Sequence, residues 1–448
     1  MEIRKIRLNN VGRFTDLEVA FAPTEKHASK VTVFVGNNGA GKTTILKSLA
    51  TALSWFVARV RTDKGRGSPI PTEAINNSAN TAAIFILISD AAHSNRSDYY
   101  WTLSQSRQGR AASAVSELAN ATELAGNYRY HWALVDENIS LPLVAFYPVE
   151  RSVLQIPLNI KKSNKKVDQL AGYESALGGG VNFASFFEWF RDREDSENEA
   201  GIPLNVLTHL KSTFESDKKF VNELNRVQNA SRDKQLSAVR SAVAFFMPGF
   251  NNLRVQRSPN LHMAIDKNGE TLNVAQLSQG EKSLMALVGD IARRLSIMNP
   301  ALENPLHGNG VVLIDEVDLH LHPKWQRSLI QQLTATFPNC QFILTTHSPL
   351  VISDTKDVLC YVLDDGELEE RNGLYGLDAN QVLLSVMDTD ARNSEVQDRL
   401  DRLLDLLQDK NLKEAKALFE ELSADLPPDH IELTKAALLI RKLELRSA

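Results

Sequence analysis

Gly36-Asn37-Asn38-Gly39-Ala40-Gly41-Lys42-Thr43, followed by Thr44, spaces two glycines, a lysine and a hydroxyl as G-x-x-x-x-G-K-T. Glycines at these positions let backbone N–H groups turn inward, as a cradle for phosphate oxygens requires, and a helix beginning at the lysine adds its positive end. Lys42 would then reach the β- and γ-phosphates of a nucleotide, and the Thr43 hydroxyl would ligate Mg²⁺. Asp315-Glu316 supplies a complementary carboxylate pair. Asp315 can hold Mg²⁺ through water, and an ionised Glu316 can polarise the attacking water. A plain glycine turn and a solvated strand end would explain each motif singly, but not the two together. Ser278 with Glu281 three residues on has the spacing of a helix capping box. His320 and His322 form an H-x-H that could begin a zinc site, although no cysteine or third ligand is obvious near them.

Such groups work only if strands and helices bring them together. Val31 to Val35 is a continuous β-branched and aromatic run, the mark of a strand buried on both faces, with a helix beginning near Lys42. Residues 311–316 and 341–346 read as two more buried strands around a helix that starts near Pro323, so an α/β core places Asp315 and Glu316 at a strand end. Apolar alternation over Ile3 to Leu8, and at Leu17, Val19 and Phe21, predicts an antiparallel hairpin turning at Gly12. Further strands are expected at Ala82 to Ile88, Tyr99 to Ser104 and Leu141 to Tyr147, with a loop over 63–80 and a stretch, 105–130, too polar to assign. The basic run Lys161–Lys166 and Gly178-Gly179-Gly180 read as connections. Phe183 to Phe246 is mostly helical without sustained heptads, which excludes a long coiled-coil arm. From Ser394, Val396, Leu400, Leu403, Leu407, Ala415, Leu418 and Leu422 predict a helical hairpin turning at Asn411, and a last helix follows Pro427-Pro428. The expected organisation is an N-terminal lobe over 1–155, a helical insertion over 156–255, a second lobe over 256–390 and a helical tail over 391–448.

The composition, 43% hydrophobic and 23% charged, is that of a soluble globular protein. A net charge of −5 argues against bulk electrostatic binding to nucleic acid, so any DNA contact is local or made through a partner. Cys340 and Cys360 cannot build a disulfide framework or a C-x-x-C zinc site, which fits a reducing cytoplasm. Met1-Glu2-Ile3-Arg4-Lys5 does not open a secretory segment, and Ala82 to Ile88 is far too short to span a bilayer.

Leu277-Ser278-Gln279-Gly280-Glu281-Lys282-Ser283 resembles the signature of ABC-type ATPases in the L-S-x-G-E form of their SMC and RecF branch. That resemblance implies a fold, an α/β ABC/SMC-like P-loop ATPase head with a helical insertion and a C-terminal helical hairpin. It also implies that Ser278 and Gly280 of one subunit close over the γ-phosphate held by another, so that two heads sandwich two ATP molecules with Mg²⁺. The motif order agrees: Lys42, Ser278, Asp315-Glu316, then His347 within Thr345-Thr346-His347-Ser348-Pro349. In the family that histidine contacts the γ-phosphate and attacking water, while Asp318 falls in a segment like the D-loop at the dimer interface. Catalysis is thus expected from Glu316, His347 and Lys42. Nucleotide contacts are expected from Gly36, Asn37, Asn38, Gly39, Ala40, Gly41, Lys42, Thr43, Thr44, Ser278, Gly280, Glu281 and Asp318, and metal contacts from Thr43 and Asp315. Two departures stand out. Pro148-Val149-Glu150-Arg151 lacks the Q-loop glutamine, leaving Glu150 or Arg151 for that place. Asn10-Val11-Gly12-Arg13-Phe14 is similar to the N-F-R-S-F opening of RecF-like heads but has Gly12 where arginine is usual.

More than two hundred residues separate Lys42 from Ser278, unlike a compact transporter head. Asp388-Thr389-Asp390 follows a helical run rather than a strand, and too little chain remains for a Toprim nuclease. The run Asp315 to Pro323 and the segment Tyr375 to Leu384 look most like PtuA-type ATPases of Septu systems and some retrons, which defend against phage. The resemblance implies a homodimer or higher homo-oligomer, a separate HNH endonuclease (PtuB-like), and in a retron a reverse transcriptase and its DNA. It implies DNA contact directly or through the partner, and no membrane. A RecF-like repair clamp and a slowly hydrolysing, ATP-bound scaffold are the alternatives. The amphipathic hairpin Val396 to Leu422 offers either a docking or oligomerisation surface or a face for simple packing against the head.

Overall fold

Apolar alternation at Ile3, Ile6 and Leu8 folds the N-terminus into β1 (Glu2–Val11), which turns at Gly12 into antiparallel β2 (Phe14–Ala20) with Leu8 opposite Leu17. The computed structural model describes residues 1–447 apart from 94–95, 108–114, 137, 152–167, 179–182, 201–203, 215–216, 231, 388 and 391. The basic run Lys161–Lys166, Gly179-Gly180 and Asp388 lie outside the described residues. The chain divides into two compact units, Met1–Leu377 and Asp378–Ala448.

In the first unit β3 (Val31–Gly36) leads to α1 (Lys42–Arg61), which buries Ile45, Leu46, Leu49, Leu53, Phe56 and Val60 at helical spacing. Strands β4 (Thr81–Ser89) and β5 (Asp98–Ser106) then join the first hairpin in an antiparallel sheet of order β2-β1-β4-β5. Helix α2 (Ala119–Leu134) begins within the stretch, 105–130, that sequence left unassigned and runs four residues beyond it. Its buried face is Ala121, Leu124, Ala125 and Tyr128, half of it alanine, too small to give a marked apolar period. After β6 (Leu143–Tyr147) come α3 (Phe183–Ala200), α4 (Leu204–Thr213), α5 (Lys218–Ala230) and α6 (Lys234–Phe246), the expected helical insertion. A small antiparallel sheet, β7 (Phe250–Gln256), β8 (His262–Lys267) and β9 (Glu270–Asn273), follows where sequence suggested no element, because an irregularity between Asn251 and Arg254 breaks the alternation of β7 and β8 buries three residues in a row. Next are α7 (Gln279–Met298), β10 (Gly310–Ile314), α8 (Pro323–Thr336), β11 (Cys340–Thr345), the short α9 (Pro349–Ser353), and the hairpin β12 (Leu359–Asp364) and β13 (Glu367–Arg371).

The central sheet has the order β13-β12-β3-β11-β10-β6, parallel except for β13. Because β3, β10, β11 and β6 run the same way, Gly36, Asp315, Thr346 and Pro148 all emerge at one edge. Gln341, buried on β11, ties the two sheets by accepting from Ile3 N at 2.7 Å and donating to the carbonyls of Ile3 and Ala22. Both cysteines are free and buried, and burial pushes each thiol up to about 12, so they are inert at neutral pH. Among the described residues no helix is long and apolar enough to cross a membrane.

Asp290, fully buried on α7, accepts from Arg294 Nε at 2.6 Å, Arg293 Nη2 at 2.8 Å and the Tyr147 hydroxyl at 2.9 Å. Burial alone would raise its carboxyl pKa, but Arg294 and Arg293 outweigh it and bring it to about 2. This folded value lies below the ordinary 3.8, so the cluster adds stability above that pH and the contribution is lost as pH falls toward 2. Asp290→Asn should therefore cost about 3–5 kcal/mol in urea unfolding at neutral pH, since two buried arginines lose their carboxylate. A loss under about 1 kcal/mol would show that they find other partners.

The second unit holds α10 (Ala379–Val386), α11 (Ser394–Gln408), α12 (Leu412–Asp425) and α13 (Ile431–Ser447). Leu400, Leu403 and Leu407 of α11, Ala415 and Leu422 of α12, and Leu433, Ala436 and Ile440 of α13 form one core. The buried stripe of the hairpin is thereby packed against α13 within this unit.

Candidate functional site

β3 ends at Gly36, with φ +148° and its Cα so near Leu363 that a Cβ would lie 2.1 Å from that carbonyl oxygen, so only glycine starts the loop. The chain then curls through Asn37 to Gly41 and enters α1, whose own first turn carries no acidic residue. Lys42 is buried and folds back on the loop, donating to the carbonyls of Gly36 at 2.6 Å and Asn37 at 3.0 Å. Burial pulls its ammonium pKa below the ordinary value, while Asp315, Glu316 and Asp318 push the other way. Arg13 braces the loop from outside, donating to the Gly39 carbonyl at 2.7 Å and pairing with Asp365 at the β12–β13 turn.

Asp315 stands one residue past β10. Its Oδ2 accepts from the Thr43 hydroxyl at 2.7 Å and its Oδ1 from the Thr345 hydroxyl at 2.6 Å. The same Thr345 oxygen accepts the Glu316 backbone N–H at 2.7 Å, so one buried hydroxyl sets both the Asp315 carboxylate and the Glu316 peptide. Glu316 sits at φ +45°, unusual for a residue with a side chain, and is held there by Thr345 and by Val317 N donating to the Thr345 carbonyl. Asp318 accepts from the Thr346 hydroxyl and from His347 N at 3.3 Å. Thus the loop, the carboxylate pair, the Asp318 segment and the His347 segment converge at the strand edge.

Ser278 caps α7 and forms a full capping box with Glu281: the serine Oγ accepts from Glu281 N and Glu281 accepts from Ser278 N at 2.8 Å. Lys267 on β8 reaches the other Glu281 oxygen at 2.7 Å. Burial opposes ionisation of Glu281, but Lys267 and Ser278 prevail and its carboxyl lies below the usual range. Gly280 packs so closely on the Asp318 segment that a Cβ there would lie 2.2 Å from the His320 carbonyl oxygen. His322 is the N-cap of α8, its Nδ1 accepting from Lys324 N at 3.2 Å, so that nitrogen is committed to capping rather than metal. Among the described residues no group of three or more His, Cys, Asp or Glu could hold a metal ion. Glu150 lies in the turn Val149–Arg151 after β6 and is exposed. Sequence reasoning singled out neither Thr345 nor Lys267. Their partners lie far along the chain, and only the repeated threonine before His347 hints at a role.

The donor set suits a phosphate chain and a hard cation: an under-solvated ammonium in a glycine loop, and a hydroxyl and carboxylate 2.7 Å apart, oxygen ligands of the kind Mg²⁺ takes. A family model described as “AAA domain” matches residues 5–243, and another described as “AAA domain, putative AbiEii toxin, Type IV TA system” matches 173–353. The “Retron Vc95 probable ATPase” of Vibrio cholerae serotype O1 biovar El Tor is 34% identical over 416 residues, covering 86% of this chain and 79% of that protein. The “Septu protein PtuA” of Bacillus thuringiensis is 21% identical over 405 residues, covering 88% of this chain and 85% of that protein. The chain belongs to the PtuA-type, retron-associated ATPases. Among solved structures, the Smc head domain from Pyrococcus furiosus is similar at a TM-score of 0.47 with 15% identity, over 83% of this chain and 96% of that chain. As a member of the PtuA-type ATPases the chain has an α/β head that carries an AAA domain, a nucleotide-binding fold. In this PtuA-type chain the glycine loop and the Asp315-Glu316 pair share one strand edge, so the residues that sequence proposed for phosphate and for metal are neighbours in space.

Proposed function

We propose that this chain hydrolyses ATP with Mg²⁺ and, as a dimer or higher oligomer closed around ATP, controls a nuclease carried by a separate HNH-type protein of a Septu- or retron-type anti-phage system. The observation that supports it most is the junction Thr43–Asp315–Thr345–Glu316, since it presents a metal-holding pair and a poised carboxylate at the end of one phosphate loop. Lys42 and the start of α1 hold the β- and γ-phosphates, and Mg²⁺, when bound, screens their charge. Asp315 and Thr43 hold that cation, Glu316 orients and polarises water, and His347 faces the γ-phosphate. Ser278 and Gly280, presented by the cap of α7, close over the nucleotide of a second copy. Glu281 and Asp318 keep those two segments in place. The cytoplasm is the compartment we assign.

The test is to tag this chain at its native locus, recover it with ATP and Mg²⁺, and weigh what accompanies it. A stoichiometric HNH nuclease, with or without a reverse transcriptase and its DNA, is expected. A bare ATP-dependent homodimer would overturn the controlled-nuclease reading, and salt-sensitive DNA binding by that dimer would favour a repair clamp.

Thr345→Val keeps the shape and removes the hydroxyl between Asp315 and Glu316. ATP turnover should fall about 10–100-fold, as for other groups that orient metal ligands, with more Mg²⁺ needed for tight nucleotide binding. Thr345→Ser should restore both. Equal loss in the two variants would reduce Thr345 to packing.

A further inference from the structure

The second unit has an apolar seam that its own core does not use. Helix α13 buries Leu433, Ala436 and Ile440 against α11 and α12. On its opposite side Ile431, Leu438 and Leu445, seven residues apart, are 67%, 65% and 76% exposed. Seven-residue spacing keeps them on one narrow line, one of the two apolar positions per heptad that a helix–helix seam uses. Beside this line Leu439 and Leu443 open with Leu404 and Leu407 onto a groove of about 240 Å³. At 100° per residue the nearest charged neighbours of the line are Lys435, Arg441 and Lys442, all exposed and all basic. Glu432 and Glu444 lie round toward the core, the first 3.6 Å from Lys435 and the second bonded to Lys416 of α12.

We propose that this outer face of α13 docks an amphipathic helix of a partner protein bearing aliphatic residues at seven-residue spacing, flanked by Asp and Glu. Charge decides between occupants. Two copies paired antiparallel about Leu438 would set Lys435 against Arg441 and Glu432 against Glu444. Paired parallel in register, the seam positions would face their own copies, setting Arg441, or Lys435 and Lys442, against themselves. Either arrangement puts like charges together, which penalises self-pairing and rewards an acidic partner. A membrane surface asks for a broad apolar face with aromatic anchors, whereas this line is narrow and purely aliphatic. The proposal goes beyond the ATPase reading and would survive its failure, because it uses none of the residues of the nucleotide site.

The full chain with Leu438→Cys tests first that the face is free. The native thiols are buried and unreactive, so maleimide labelling reports the introduced one. Fast labelling is expected, and a protected thiol would mean that the rest of the chain or a second copy already covers the seam. Next, helical peptides of about three heptads, with leucines in the seam and either Glu or Lys flanking it, are titrated against the unsubstituted chain. The acidic peptide should bind about tenfold or more tightly than the basic one, and Leu438→Glu with Leu445→Glu should abolish that preference while helix content and melting stay unchanged. Equal binding of the two peptides, acidic-peptide binding that survives the double substitution, or stronger binding to phosphatidylserine vesicles than to the acidic peptide would each overturn the proposal.

Discussion

Glu316→Gln should lower single-turnover ATP hydrolysis by about 10²–10⁴-fold while ATP affinity changes by no more than about twofold. The two side chains have nearly the same shape, so the substitution removes a charge and little else. The backbone at this point is fixed from elsewhere, by Thr345 accepting the Glu316 N–H and by Val317 donating to the Thr345 carbonyl, and neither contact involves the Glu316 side chain. The left-handed φ of +45° is therefore expected to persist in the variant. Lys42, Thr43 and Asp315 remain in place, so binding should survive without turnover. Rapid-quench measurement of phosphate release beside calorimetric ATP titration separates the two. A loss in turnover under about tenfold would remove Glu316 from the role of base. The phenotype then divides two biological readings: if defence persists in the variant, ATP occupancy suffices and the chain acts as an ATP-bound scaffold. If defence fails while the complex still assembles, turnover is what the partner requires.

What sequence could and could not supply follows the range of the interactions. The loop Gly36 to Thr43, the Ser278–Glu281 cap and the strand carrying Asp315 are each written within a few consecutive residues, so spacing alone predicted them and the structure places them as elements. Thr345 is different. Its acceptor lies 30 residues away and the N–H it accepts 29 away, and nothing local marks it beyond being one of two threonines. Arg13 meets Asp365 across 352 residues, a pairing created by β12 lying beside β3. The β7–β9 sheet escaped notice because an irregularity in β7 and three successive buried residues in β8 break the alternation, and α2 because alanines make half its buried face. In the tail, periodicity found the buried stripe of α11 and α12. It could not tell that α13 would cover that stripe and leave a second one of its own facing out, since which of two stripes is buried depends on partners that periodicity does not name.

The proposal that two chains complete each ATP site makes a second large prediction. Alone, Lys42→Ala should lose ATP binding because the phosphates lose the ammonium that the Gly36 and Asn37 carbonyls hold in the loop, and Ser278→Arg should lose turnover because a bulky charge stands where, in the proposed dimer, the cap faces phosphate. Losing the serine cap costs about 1 kcal/mol, and Lys267 still holds Glu281, so the second variant should fold. Mixed in equal amounts, the two inactive proteins should recover roughly a quarter of wild-type turnover per chain. Half of the dimers pair one variant with the other, and each such dimer joins the intact Lys42 of one copy to the intact Ser278 of its partner at one of two sites. If instead each chain completed its own site, every chain in the mixture would carry a defect in its only site and no activity would return. Recovery that rises with subunit exchange places the signature in trans and makes closure of two heads the event that ATP controls. Its absence, with both variants shown to be folded and exchanging, would confine hydrolysis to the single chain and make the α7 cap part of that chain's own site.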